Sequence, residues 1–239
     1  MMHRGNVRVP GSKRAHARTH TVQSAKEGCT VPQPEDERMV QIAKSGQLTV
    51  CIDVLAQAFS DDPLMAYIWP DATRRRAALY RWFAISIRGH HFHSGRVDFT
   101  GTSVKGIEAV AVWDSPGQWQ TSATSTVRSF PKLLSALRTR IPAALHVRKT
   151  LDAHHPDRPH WYLSNIGTLS SARGQGLAGA LLEHQLAECD RTETPAYLVC
   201  TMDRNIGLYE HFGFTVTEEF SLEPATPLWS MWREPAHQR

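Results

Sequence analysis

The spacing of apolar positions changes character at Met39. A short apolar run, MVQIA, is followed by a turn, KSGQ, after which Val50, Val54, Leu55 and Ala58 recur at helical intervals. Strand then helix is expected, and the helix should stop at Ser60-Asp61-Asp62-Pro63, because proline disfavours helical geometry in the residue before it. The spacing predicts a second helix over 72 to 88. Two runs rich in β-formers, RVDFT (96–100) and IEAVAVW (107–113), flank the Gly-bounded link GTSVKG and predict a hairpin. Residues 126 to 154 read as helical with interruptions at Pro131 and Pro142, and WYLSNIGTL (161–169) is the strongest strand signal in the chain.

That strand leads into a loop and then a helix, where Ala178, Leu181, Leu182, Leu186 and Cys189 form one apolar stripe. A short strand, AYLVC, follows Pro195. Asn205 suits the cap of a last helix through Phe212, Gly213 can take the left-handed conformation that ends it, and FTVTEEF and LWSMW read as closing strands. Mixed elements in this order predict an α/β (or α+β) domain over residues 39 to 235.

Residues 1 to 38 show no such periodicity and mix Gly, Pro, Ser and His with charge, which predicts a disordered basic tail. The net charge of +4 belongs mainly to this tail: it holds seven Lys/Arg against four Asp/Glu, leaving 20 against 19 elsewhere. No aromatic residues interleave those charges, so a nucleic-acid partner is not expected. No apolar stretch approaches the roughly 20 residues that cross a bilayer, and the start does not resemble an export signal. The expectation is a cytoplasmic protein without a membrane partner. Cys29, Cys51, Cys189 and Cys200 form no CxxC pair, which suggests neither a zinc site nor a disulfide framework. His90, His91 and His93 lie close together, but no carboxylate pattern accompanies them and consecutive histidines cannot all face one way, so a solvated helix end is expected and no metal.

The chemistry concentrates between the strongest strand and the helix that follows it. In Arg173, Gly174, Gln175, Gly176, Leu177, Ala178 and Gly179, glycines let backbone amides approach a ligand, and a helix N-terminus favours anions. A pyrophosphate is the natural guest. The same letters spell the dinucleotide fingerprint GxGxxG, but only 60 residues follow Gly179 and they end in antiparallel-looking strands, not a repeated βαβ array.

Arg173, Gly176 and Ala178 instead match the pattern Arg/Gln-x-x-Gly-x-Gly/Ala. With RNIGLYEHFGF (204–214), this resembles the GNAT superfamily of acyl-CoA transferases. AQAFSDDP (56–63), AVAVWDSP (109–116), HHPDRPHWYLSNIGT (154–168) and RNIGLYEHFGFTVTEEF (204–220) are similar to stretches of puromycin N-acetyltransferase and its relatives, except that Val199 stands where these tend to carry a glutamate. The resemblance implies a GNAT fold: a mixed sheet of six to seven strands, splayed between the fourth and fifth and flanked by helices. It also implies acetyl-CoA as co-substrate and a small-molecule amine as acceptor, with direct attack in a ternary complex. A non-catalytic acyl-CoA sensor and a protein or peptide N-acetyltransferase are the alternatives, and both monomer and homodimer stay open.

On this resemblance the pantetheine arm runs along Ile166, Gly167 and Thr168, and the diphosphate sits on residues 173 to 179. Asn205 and Tyr209 complete the cofactor site, and Tyr209 is the acid that protonates the departing thiolate. Base candidates are Ser164, with His160 and Tyr162 alternating onto its strand face, and Asp61, with Asp62 and Glu108 as further carboxylates. Trp69, Trp82, Trp113 and Trp119 are candidate walls for a ring-bearing acceptor.

Overall fold

The computed structural model describes residues 39–102, 106–120, 131–222 and 226–236. The tail expected over 1 to 38, with Cys29, lies outside these residues. A short strand β1 (Gln41–Ile42) precedes helix α1 (Leu48–Ala58), whose buried Cys51, Ile52, Val54, Leu55 and Ala56 make its inner face. Pro63 opens α2 (Pro63–Ile68), with Asp62 as its N-cap, and Asp71 caps α3 (Ala72–Ser86). Helix α3 does not simply end: a π turn, Ile87–His91, and one further turn, Phe92–Ser94, carry it into strand β2 (Gly95–Thr102).

Strands β2 and β3 (Gly106–Asp114) form the expected antiparallel hairpin. The two prolines expected to interrupt helix behave differently. Helix begins at residue 131, and Pro142 occupies the first turn of α4 (Ile141–Ala153), where a missing N–H costs nothing. The segment 126–130 lies outside the described residues. Strand β4 (Trp161–Thr168), helix α5 (Leu177–Arg191), strand β5 (Ala196–Cys200), helix α6 (Ile206–His211) and strands β6 (Thr215–Ser221) and β7 (Pro227–Arg233) follow in the predicted order. The seven strands lie in the order β1-β2-β3-β4-β5-β7-β6, antiparallel except for β4 beside β5.

Alternation along β3 feeds two cores. Val110 and Val112 pack with α1, α2 and α3 on one face of the sheet, while Ala109, Ala111 and Trp113 pack with α5 on the other. Helix α5 buries Leu181, Leu182, Leu186 and Cys189 as predicted, but Ala178 is only half-buried, because the helix starts at the rim of a cleft. Cys51, Cys189 and Cys200 are buried free thiols. Among the described residues no helix is long and apolar enough to cross a membrane.

Candidate active site

Strand β4 is the spine of the site. It pairs with β5 at only three positions, Trp161↔Ala196, Tyr162↔Tyr197 and Leu163↔Leu198. Past Leu163 the strands diverge, β4 staying on β3 and β5 on β7. One edge of Ser164–Thr168 is therefore without a strand partner among the described residues, and its N–H and C=O groups need an extended amide chain or water. Gly167 has a specific reason to be glycine: a Cβ there would stand 2.7 Å from the Ala58 Cβ, so its absence lets α1 lie directly on the strand.

A slip in the β3–β4 ladder re-aims the side chains. Val112 opposes Asn165 and Trp113 opposes Leu163, leaving Ser164 as the extra residue of a bulge. Tyr162, Asn165 and Gly167 consequently share the α1 face with Val112. The expected alternation His160, Tyr162, Ser164 breaks at Ser164, whose Oγ accepts a hydrogen bond from Asn165 Nδ2 at 3.0 Å.

The glycine loop lies open beyond the free edge. Gly174 and Gly176 have φ of +75° and +79°, a region that side chains rarely adopt, and a Cβ built on either would meet nothing within 4 Å. Gly176 caps α5 with no side-chain hydrogen bond, and the first helical bond is Ala180 N–H to Gly176 O at 3.0 Å. The N–H groups ahead of it, together with the helix dipole, make an anion seat. Gln175 turns away from the cleft, its Nε2 donating to Ser171 O at 3.2 Å, while the other residues of 173 to 179 border the cleft.

Helix α6 brings Tyr209 to the wall of the same cavity, which measures about 790 Å³. The ring is 7% exposed and lies edge-on to Phe214. Burial pushes its phenol well above the ordinary value, and the neighbouring Cys200 and Asp62 add to the shift, so the hydroxyl keeps its proton. Asn205 stands at the cap position but makes no capping hydrogen bond, because its backbone is already helical; it borders the cavity instead.

The acidic turn divides its two residues. Asp62 is buried, accepting from Met65 N–H at 3.0 Å and from Thr201 Oγ at 2.6 Å, which ties α2 to the end of β5. Burial raises its carboxyl above the usual range. Asp61 is exposed and does not border the cavity, because capping α2 draws Asp62 inward and leaves its neighbour outside. Glu108 and His160 are buried but do not border the cavity either. Of the four tryptophans, Trp82 and Trp119 reach the cavity wall, Trp69 is buried with its Nε1 donating to Ala136 O, and Trp113 is buried on the α5 face of the sheet.

At the far end of the cavity the π turn gathers residues that sequence reading did not connect. His91 Nδ1 lies 2.6 Å from Asp114 Oδ1, and His90 Nε2 lies 3.5 Å from the same oxygen. One point of the expectation fails, since a carboxylate joins the histidines; the other holds, since His93 is exposed and stays outside the cluster. A π turn rotates less per residue than an α turn, so neighbouring histidines converge, and the carboxylate comes from the end of β3. The polar atoms of the three residues lie within 4.8 Å of one another, a grouping that could suggest a cation site. The His91–Asp114 contact has hydrogen-bond length, however, shorter than the roughly 3.3 Å that separates two ligands around zinc. Beside the cluster, His155 stacks on Trp119 at 3.7 Å, and burial, then His160, push its imidazole down to about 3.

The family model of the acetyltransferase (GNAT) domain matches residues 140–216, from α4 through the splay, the glycine loop and Tyr209. A Corynebacterium glutamicum protein, histone acetyltransferase HPA2 and related acetyltransferase, has a solved structure with a TM-score of 0.65 and 30% identity, covering 84% of this chain and 98% of its own. The uncharacterized N-acetyltransferase C550.08 of Schizosaccharomyces pombe is 27% identical over 76% of this chain and 77% of its own length. Arylalkylamine N-acetyltransferase 2 of Aedes aegypti shares the fold at 14% identity, with a TM-score of 0.55 over 84% of this chain and 100% of its own. The chain belongs to the GNAT acetyltransferase family. It is an acetyl-CoA-dependent N-acetyltransferase.

Proposed function

We propose that the chain acetylates a primary amine on a small molecule, by direct attack within a ternary complex, with puromycin or a related antibiotic as the sharpest candidate. The observation that carries this reading is the aromatic part of the cavity lining, to which Trp82, Trp119 and Tyr162 contribute. A space of about 790 Å³ must take the acetyl-pantetheine arm and the acceptor together, which suits a compact ring-bearing amine.

In this reading the pantetheine amides add to the free edge of β4 along Ile166, Gly167 and Thr168, and the diphosphate rests on the N–H groups of residues 174 to 179. A freed N–H of β4 polarises the thioester carbonyl and carries the developing oxyanion. The amine nitrogen attacks the carbonyl carbon, the C–S bond breaks, and the thiolate takes the Tyr209 proton. Ser164, on the free edge and bordering the cavity, orients the acceptor in this scheme. Asp61, outside the cavity, has no part in this scheme.

Peptide acetylation is the second reading, favoured by the histone acetyltransferase name of the Corynebacterium glutamicum relative. Thiol release from acetyl-CoA, measured with puromycin, aminoglycosides, polyamines, amino acids and basic peptides, separates the two. Release with one of the small amines is the expected result; release with peptides alone would remove the small-molecule reading.

A further inference from the structure

The geometry points to His90 as the base that takes the acceptor's proton, with Asp114 beside it and Ser94 fixing its tautomer. The proposal deepens the acetyl-transfer reading above and rests on it for the order of events. Its location comes from the ladder: Asp114 lies opposite Tyr162, one position before Leu163, the last β4 residue paired with β5. The cluster thus flanks the point where the splay opens, and His90, His91 and Asp114 all border the cavity.

The contacts favour one arrangement of the protons. Ser94 Oγ donates to the His90 carbonyl at 2.9 Å, which leaves its lone pairs to accept from His90 Nδ1, the nearer ring nitrogen at 3.2 Å. With Nδ1 protonated, Nε2 is bare. It lies 3.5 Å from Asp114 Oδ1, an oxygen already accepting from His91 Nδ1 at 2.6 Å, and 3.5 Å from Ser94 Oγ, both beyond the ordinary hydrogen-bond range. The Asp114 carboxylate beside it attracts the imidazolium that forms when Nε2 takes a proton.

The surroundings set when His90 is bare. Burial, then His91, hold its imidazole below the ordinary value, and Arg148 adds to this, against the opposing pull of Asp114 and the Gln118 carbonyl. Asp152, His155 and Tyr162 stand on the same cavity wall. At neutral pH His90 is therefore uncharged. When the C–N bond forms, the nitrogen becomes cationic and its proton passes to Nε2; the C–S bond breaks and the thiolate takes the Tyr209 proton. Solvent then removes one proton from His90 and returns one to Tyr209.

The test is His90→Gln and Ser94→Ala, profiled with whichever acceptor of the panel, small amine or peptide, the unmodified enzyme uses fastest. A panel result confined to peptides thus sinks the small-molecule reading while His90 is still tested. For the unmodified enzyme kcat should fall as pH drops through a value below about 6.5. His90→Gln should lower kcat at least about tenfold and erase that limb, with the acetyl-CoA Kd from calorimetry within about twofold. Ser94→Ala should move the limb with a smaller loss of rate. A His90→Gln enzyme that binds acetyl-CoA normally and keeps both rate and limb overturns the proposal. So does an unmodified enzyme inactivated by a chelator and restored by zinc, which would make the cluster a metal site.

Discussion

The two ends of the cavity are built from different material. The cofactor end is backbone: an edge of β4 without a strand partner among the described residues, two glycines at positive φ, and the N–H groups that open α5. The acceptor end is side chain: imidazoles, a buried carboxylate and aromatic rings from α3, β3, β4 and the segments beside them. Backbone groups sit where the fold puts them whatever the residue, so that end tolerates exchange at most positions. Side chains can be swapped without disturbing the sheet, which lets acceptor preference vary while cofactor binding stays constant.

Substitutions should separate the two ends by which parameter they move. The largest effect is expected at the loop: Gly176→Val forces a β-branched residue into the left-handed region and should weaken acetyl-CoA binding about 30-fold by calorimetry. Tyr209→Phe, at the junction, should lower kcat about tenfold while leaving that Kd within about twofold; near-normal turnover would deny Tyr209 the acid's role. Trp119→Ala should raise KM for a ring-bearing amine about fivefold, and an equal rise for acetyl-CoA would mean that the two ends are not separable. The smallest change belongs to Arg173→Ala. Its exposed side chain is outweighed by the amides around it, so acetyl-CoA Kd should rise no more than about threefold in calorimetry at moderate salt.

This division also explains what could be read from the chain in advance. The cofactor end lies almost wholly within residues 161 to 209, where each part has a local signal: alternation for β4, glycines for the loop, helical periodicity for α5. The acceptor end has no such signal. His90 meets Asp114 across 24 positions, and Asp62 meets Thr201 across 139. The bulge at Ser164 depends on the partner strand, so strict alternation placed that residue with Tyr162. Similarly, Asp61 and Asp62 are equivalent in composition, and only the cap on α2 decides which one is drawn inward.

The widened turn at Ile87–His91 carries an evolutionary implication. A π turn amounts to one residue more than the surrounding helix requires. Loss of a single residue there would return the segment to ordinary helix and rotate the two imidazoles apart, leaving the buried Asp114 without its 2.6 Å partner. Shortening the turn would thus alter the acceptor end at a cost in stability, while the glycine loop keeps a geometry of its own.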